Sequence, residues 1–399
     1  MPMPPDRSSE ERGAVSIRSI GTAVPPTVLE QPRVAELFSQ QPGTSRLAQR
    51  LIASAFGASA IDRRHTVIPE LDGEARPDPV FVDVAAGSIL SPSTGTRNEV
   101  YVREVRPLLR EAAEAAIAAA SGLERGDITH VITVSCTGFM APGPEYLLVR
   151  DLGLAPSTRR LHVGFMGCYG AFPALRAAVS TCVAEPDAVV LIVCVELCSL
   201  HLRTSEDPDT IVASSVFADG AAAAIVSARP APAGETVLDV DRLDTTLTAT
   251  GEAEMAWTIG DLGFEMVLSN AVPRILEEQI DEALRPLLEA GSSSPPEEGW
   301  AAIRHWAIHP GGRAILDRVQ RALDLTDRQL APSREILRSY GNMSSATVLF
   351  ILQRILTGSE NDPEPELDPA PDASDRVLAV AFGPGLTVES GLFTRRVVS

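Results

Sequence analysis

The stretch Val163–Ala178, VGFMGCYGAFPALRAA, decides how the rest of the chain is organised. A short apolar run ends at a turn of small residues, which holds Cys168 between Gly167 and Gly170. A helical pattern follows. A buried strand or turn, then a tight turn, then a helix is one unit of an α/β fold. A cysteine at the start of a helix feels the positive end of the dipole, which favours thiolate. The flanking glycines let backbone N–H groups approach a thioester oxygen. For any single cysteine a buried structural role is the commoner outcome, and it is the first expectation for Cys136, Cys182, Cys194 and Cys198.

The same layout recurs twice. In WAIHPGGRAILDRV, residues 306–319, His309 ends an apolar run and Pro310-Gly311-Gly312 opens a helix. An imidazole there can donate to a developing oxyanion and share a proton with a thiolate. In SYGNMSSATVLFILQRIL, residues 339–356, Asn342 stands just before a helix. Asparagine is a good N-cap, which is its bland role; its functional role would be an amide donor to an enolate. His65, His130, His162 and His305 lack such a setting and read as capping or core histidines. A thiol, an imidazole and an amide on three strand–helix turns together make the parts of a decarboxylative condensing site.

Outward from these turns, HVITVSCTG (from His130), DAVVLIVCVEL (from Asp187), AAAAIVS (from Ala221), RHWAIH (from Arg304) and DRVLAVAFGPG (from Asp375) read as buried strands. VYVREVRPLLREAAEAAIAAA, GAFPALRAAVSTCVAE and ATVLFILQRIL read as helices. The alternation predicts α/β architecture over 399 residues, enough for two similar halves. The expected divisions are a flexible arm at 1–13, a first half at 14–230 carrying the cysteine, and a second at 231–399 carrying the histidine and asparagine. Polar segments at 291–299 and 358–375 read as surface loops.

Net charge is −19, which disfavours nucleic acid as a partner. No apolar stretch is long enough to span a membrane and the start lacks a signal-peptide pattern, so a cytoplasmic protein is expected. All 34 basic residues are arginine, which removes Schiff-base lysine and lysine-anchored pyridoxal phosphate chemistry. Five cysteines with no CxxC pair argue against a disulfide framework and a zinc site.

These three turns, with FADGAAAAIV from Phe217 and AFGPGLTVESGLF from Ala381, resemble the chalcone synthase-type, or type III, polyketide synthases. The resemblance runs from about Val15 to Val398. It implies a five-layered αβαβα thiolase fold and a homodimer. It also implies acyl-CoA and malonyl-CoA as substrates, with no cofactor and no metal. Cys168, His309 and Asn342 match the family's catalytic set. Phe217 matches one gatekeeper at the cavity mouth. Met266 stands at the second gatekeeper position, with Phe264 two residues earlier. Cys198, His201, Trp257 and Ser344 fall at cavity positions, and Trp257 replaces a small glycine of the plant enzymes. Thr137, Ala141 and Cys198 resemble the trio that opens a long acyl tunnel in actinobacterial alkylpyrone synthases. Arg50, Arg63, Arg64 and Arg313 lie where the family meets CoA phosphates. A medium- or long-chain acyl starter, extended to a pyrone or resorcinol, is therefore expected. The alternatives are a synthase using malonyl-CoA alone or an aromatic starter, a ketoacyl synthase III-like enzyme, and an inactive homologue acting as a scaffold.

Overall fold

The computed structural model describes residues 14–289, 300, 303–358 and 375–399. The expected N-terminal arm, the polar segment 291–299 and all but the end residues of 358–375 lie outside the described residues.

Nine strands form one sheet. They are β1 (Ser16–Ala23), β2 (His130–Ser135), β3 (Arg159–Gly164), β4 (Val189–Leu197), β5 (Asp219–Ser227), β6 (Thr236–Leu247), β7 (His305–Ile308), β8 (Asp375–Gly383) and β9 (Thr387–Val397). Their order is β7-β8-β9-β6-β1-β5-β4-β2-β3. From the middle outward, each half repeats the same directions. In the first, β1–β5 and β5–β4 are antiparallel and β4–β2 is parallel. In the second, β6–β9 and β9–β8 are antiparallel and β8–β7 is parallel. Within the sheet the halves join through Ser16 opposite Asp239 and Ile17 opposite Leu238. Strand β3 extends the first half, paired parallel to β2.

Side-chain alternation explains why the strands read as unbroken apolar runs. In β4, Val189, Leu191, Val193, Val195 and Leu197 face one core, while Val190, Ile192 and Cys194 face another. In β8, Val377, Ala379 and Ala381 share that second core, while Leu378, Val380 and Phe382 face a third. The helix Thr94–Ala119 packs in the first core. The helices Ala171–Ala184 and Thr347–Thr357 fill the middle core between the half-sheets. Val272–Glu289, Arg313–Ala322 and Asp327–Tyr340 pack in the third core. Helix, half-sheet, helix, half-sheet, helix is the expected five-layered thiolase arrangement.

The two ends of the sheet differ. At β3 the outer edge carries no strand among the described residues, and Leu161 on it is 46 % exposed. At β7 the edge is covered: the Ile308 N–H donates to Ser333 Oγ at 3.0 Å, from the helix Asp327–Tyr340. Among the described residues no helix is long and apolar enough to cross a membrane.

Candidate active site

Cys168 lies in a single 3-10 turn, Gly167–Tyr169, immediately before the helix Ala171–Ala184. Gly167 has φ +74°, and a side chain there would meet Pro384 of the FGPG turn at 2.7 Å. Glycine is thus required both by backbone and by space. His309 follows β7, and its N–H donates to Val380 O at 2.8 Å, extending the pairing with β8 by one residue. Asn342 is fixed by its backbone: its N–H donates to Val216 O at 2.8 Å and its carbonyl accepts from Ala218 N–H at 2.9 Å. That pairing makes an isolated parallel bridge with Phe217. Asn342 is not the N-cap expected: Met343 takes that place before the 3-10 turn Ser344–Ala346, and Asn342 Oδ1 accepts from Ser344 N–H at 2.8 Å. This contact fixes which end of the amide is oxygen. Cys168 Sγ stands 4.0 Å from that oxygen, and Nδ2 lies 3.5 Å from Gly311 O.

Cys168, His309 and Asn342 line one small cavity, with Phe217, Met266 and Phe382. A second small cavity also borders Cys168, and its walls include Thr137, Cys198, Trp257 and Ser344. A third is lined by Cys198, His201, Trp257 and Phe264. Phe217 and Met266 border all three. Trp257 sits opposite Met266 in a two-stranded hairpin, Met255–Gly260 and Gly263–Leu268. Its indole N–H donates to Cys136 O at 3.0 Å, which holds the ring against the cavity.

Burial dominates the electrostatics. It pushes the Cys168 thiol up to about 12, against partial relief from hydrogen bonds with Ser344 and Asn342. It pushes His309 down to about 3, and neither ring nitrogen has a protein partner. The resting pair is therefore neutral, and the thiolate expected from the helix start alone is outweighed by desolvation. A neutral imidazole with two free nitrogens can take the thiol proton or donate to a thioester oxygen.

Several other expected residues fall into distinct roles. His201 is a strut: its Nε2 donates to Thr137 O at 2.8 Å, and its Nδ1 accepts from Phe264 N–H at 3.0 Å. Its ring stacks on Phe264 at 4.1 Å, and burial lowers its pKa to about 4, so it stays neutral. Ala141 is exposed and lines none of the three cavities. Arg50 and Arg63 are exposed, as is Arg313, which pairs with Asp317 at 3.3 Å. Arg64 departs from the expected CoA contact. It is fully buried, and its Nη1 donates to Ser214 O at 2.9 Å and Phe217 O at 2.6 Å. A guanidinium shut inside the protein cannot reach a phosphate in solvent.

Sequence reasoning passed over Glu196. It ends the apolar run of β4 and is fully buried, which is costly for a carboxylate without partners. Its Oε2 accepts from Cys136 N–H at 2.9 Å and Thr137 Oγ at 3.0 Å, and its Oε1 accepts from Ser345 Oγ at 2.5 Å. Burial raises its pKa to about 7 even so. The signal was a lone acid in the run VVLIVCVEL.

Two similar half-sheets, with a buried thiol from one half beside an imidazole and an amide from the other, are the arrangement of the thiolase-type fold. The sequence matches the chalcone and stilbene synthase N-terminal domain over residues 5–230 and the C-terminal domain over 242–398. The chain belongs to the chalcone and stilbene synthase family. Among solved structures, it is similar to PKS-I from the brown alga Ectocarpus siliculosus, at 27 % identity and TM-score 0.84, covering 98 % of this chain and 100 % of that one. It is also similar to the C-terminal type III polyketide synthase domain of Steely1 from Dictyostelium, at 28 % identity and TM-score 0.81, covering 96 % and 100 %. A type III pentaketide synthase from Neurospora crassa matches at 25 % identity and TM-score 0.78, again covering 96 % and 100 %. The chain is a type III polyketide synthase, an acyltransferase.

Proposed function

We propose that this synthase loads a medium- or long-chain acyl group from CoA onto Cys168 and extends it with malonyl-CoA to an alkylpyrone or alkylresorcinol. The observation that carries the condensing chemistry is the single cavity shared by Cys168, His309 and Asn342. In loading, the Cys168 sulfur attacks the acyl thioester, its proton passes to His309, and CoA leaves as the thiol. In extension, malonyl-CoA loses carbon dioxide. The electron pair of the broken C–C bond stays as an enolate whose oxygen is held by His309 and the Asn342 amide. The enolate carbon attacks the Cys168 thioester, a C–C bond forms, and the sulfur leaves. No cofactor or metal is needed, because the thioester supplies the activation. The net acidic composition suits a cytoplasmic enzyme that meets free CoA esters and disfavours docking to an acidic carrier.

The starter preference rests on Thr137 and Cys198, modest side chains on the wall of the cavity that borders Cys168. Against them stands Trp257, whose ring narrows that same cavity. Purified enzyme given malonyl-CoA and starters from acetyl- to palmitoyl- and coumaroyl-CoA should give pyrones or resorcinols that peak with the longer acyl groups. Mass spectrometry reads the products. Turnover of malonyl-CoA alone, or of aromatic starters only, would overturn the starter assignment and leave the condensing chemistry standing.

The proposed working unit is a homodimer joined at the β3 edge. Leu161 on β3, with Phe139 and Tyr146 nearby in sequence, is an exposed large apolar side chain. Leu161→Arg should move the protein from dimer to monomer in sedimentation at micromolar concentration. A wild type that sediments as a stable monomer would remove the dimer from the proposal.

A further inference from the structure

We propose that Arg64 is a positioning residue for carbon–carbon bond formation, holding the gatekeeper Phe217 and the catalytic Asn342 in register from behind the cavity. The inference rests on the function proposed above. Arg64 lies on the short strand Arg63–Thr66, with no exposed surface. Its Nη1 is shared between the carbonyls of Ser214 and Phe217, at 2.9 and 2.6 Å. Its stem runs beneath Gly341: a Cβ on that glycine would stand 2.9 Å from Arg64 Cγ and 2.9 Å from Val216 O. Gly341 has φ +72°, so the chain there is both left-handed and in close contact. The next residue is Asn342, bonded through its backbone to Val216 and Ala218. One side chain thus touches both strands of the Phe217–Asn342 bridge.

The cost of keeping this cation inside is visible. Nε and Nη2 have no partner, and the compensation is the nearby charge of Asp219 and the Phe56 ring at 5.8 Å. A methionine or leucine would fill the space with no such penalty. What an apolar residue cannot do is donate to two carbonyls at the C-terminal end of the helix Pro208–Val216 at once, which the two N–H groups of Nη1 do.

The consequence falls on one branch of the reaction. Decarboxylation occurs within one bound molecule. Condensation needs the enolate carbon and the Cys168 thioester carbon at near-attack distance, and small displacements are heavily penalised. An enolate that misses the thioester takes a proton and leaves as acetyl-CoA. Loosening Phe217 and Asn342 should therefore raise the acetyl-CoA released from malonyl-CoA per carbon–carbon bond formed.

The test compares wild type, Arg64→Lys and Arg64→Met with Val105→Ala, a buried substitution in the core beneath Thr94–Ala119. Acetyl-CoA and polyketide are counted from the same reactions, with melting temperature measured alongside. Arg64→Met should raise the ratio by about tenfold, the scale of a sub-ångström misplacement, and Arg64→Lys should fall between. The KM for malonyl-CoA should hold. The control should lose activity only in proportion to its folded fraction. If the Arg64 variants do not accumulate folded, Gly341→Ala presses on the same side chain and should raise the same ratio. An unchanged ratio in folded variants overturns the inference, as does a rise in KM alone, which a phosphate contact would give. A wild type that forms no carbon–carbon bonds overturns the proposed function, and the inference with it.

Discussion

Replacing Cys168 by alanine is expected to cut polyketide formation by about 10⁴-fold or more, the scale seen when a covalent nucleophile is removed. The acyl-enzyme should vanish with it, so incubation with an acyl-CoA should no longer add the acyl mass to the protein. Decarboxylation of malonyl-CoA should persist at a measurable rate, because His309 and Asn342 remain in the cavity. On the proposed mechanism the sulfur carries the growing chain, while the imidazole and amide carry the enolate. Labelled malonyl-CoA still incorporated into product by Cys168→Ala would sink the covalent mechanism.

Replacing His309 by alanine is expected to cost condensation about 10²- to 10⁴-fold, the range for losing a general base or an oxyanion donor. A pH profile gives the sharper readout. Burial raises the Cys168 thiol to about 12, so without a base its thiolate is scarce at neutral pH. Iodoacetamide labelling of Cys168 in His309→Ala should then climb about tenfold per pH unit between pH 6 and 9. Burial lowers His309 to about 3, so in the wild type the imidazole is neutral over that whole window, and a proton it takes from Cys168 is held there by the thiolate left behind. The wild-type profile should be flatter and higher at its acid end. A flat profile in the variant would show that the thiol is not held up by burial.

Much of this was legible in the sequence because the same local pattern marks fold and site together. The continuous apolar runs of β2, β4, β5, β7 and β8 announce strands with both faces buried, and His309 follows directly on one of them; Cys168 instead follows the edge strand β3, and Asn342 follows the helix Asp327–Tyr340, not a strand. The β3 strand was not legible in the same way. Its segment RRLHVG carries charge because one edge faces outward, and an edge strand lacks the apolar signature. The roles of Arg64 and His201 could not be read from composition either. Successive residues on a strand point to opposite faces, so Arg63 turns to solvent while Arg64 turns inward. Which of two adjacent arginines is buried depends on the partner strand, Thr27–Glu30, and not on the arginines. The site itself is long-range: Cys168 and Asn342 are 174 residues apart, and only the layering of the half-sheets brings them together.

The unlike ends of the sheet bear on how far copies of this chain can assemble. A sheet open at both edges can recruit a neighbour on each side, and each neighbour can recruit another, so that chains polymerise into a ribbon. Here the β7 edge is short, buried and already hydrogen-bonded to Ser333. Among the described residues, pairing along this sheet is left to β3. Two copies meeting there by a twofold axis would use up both open edges of the nine-stranded sheet, leaving it none with which to nucleate a filament.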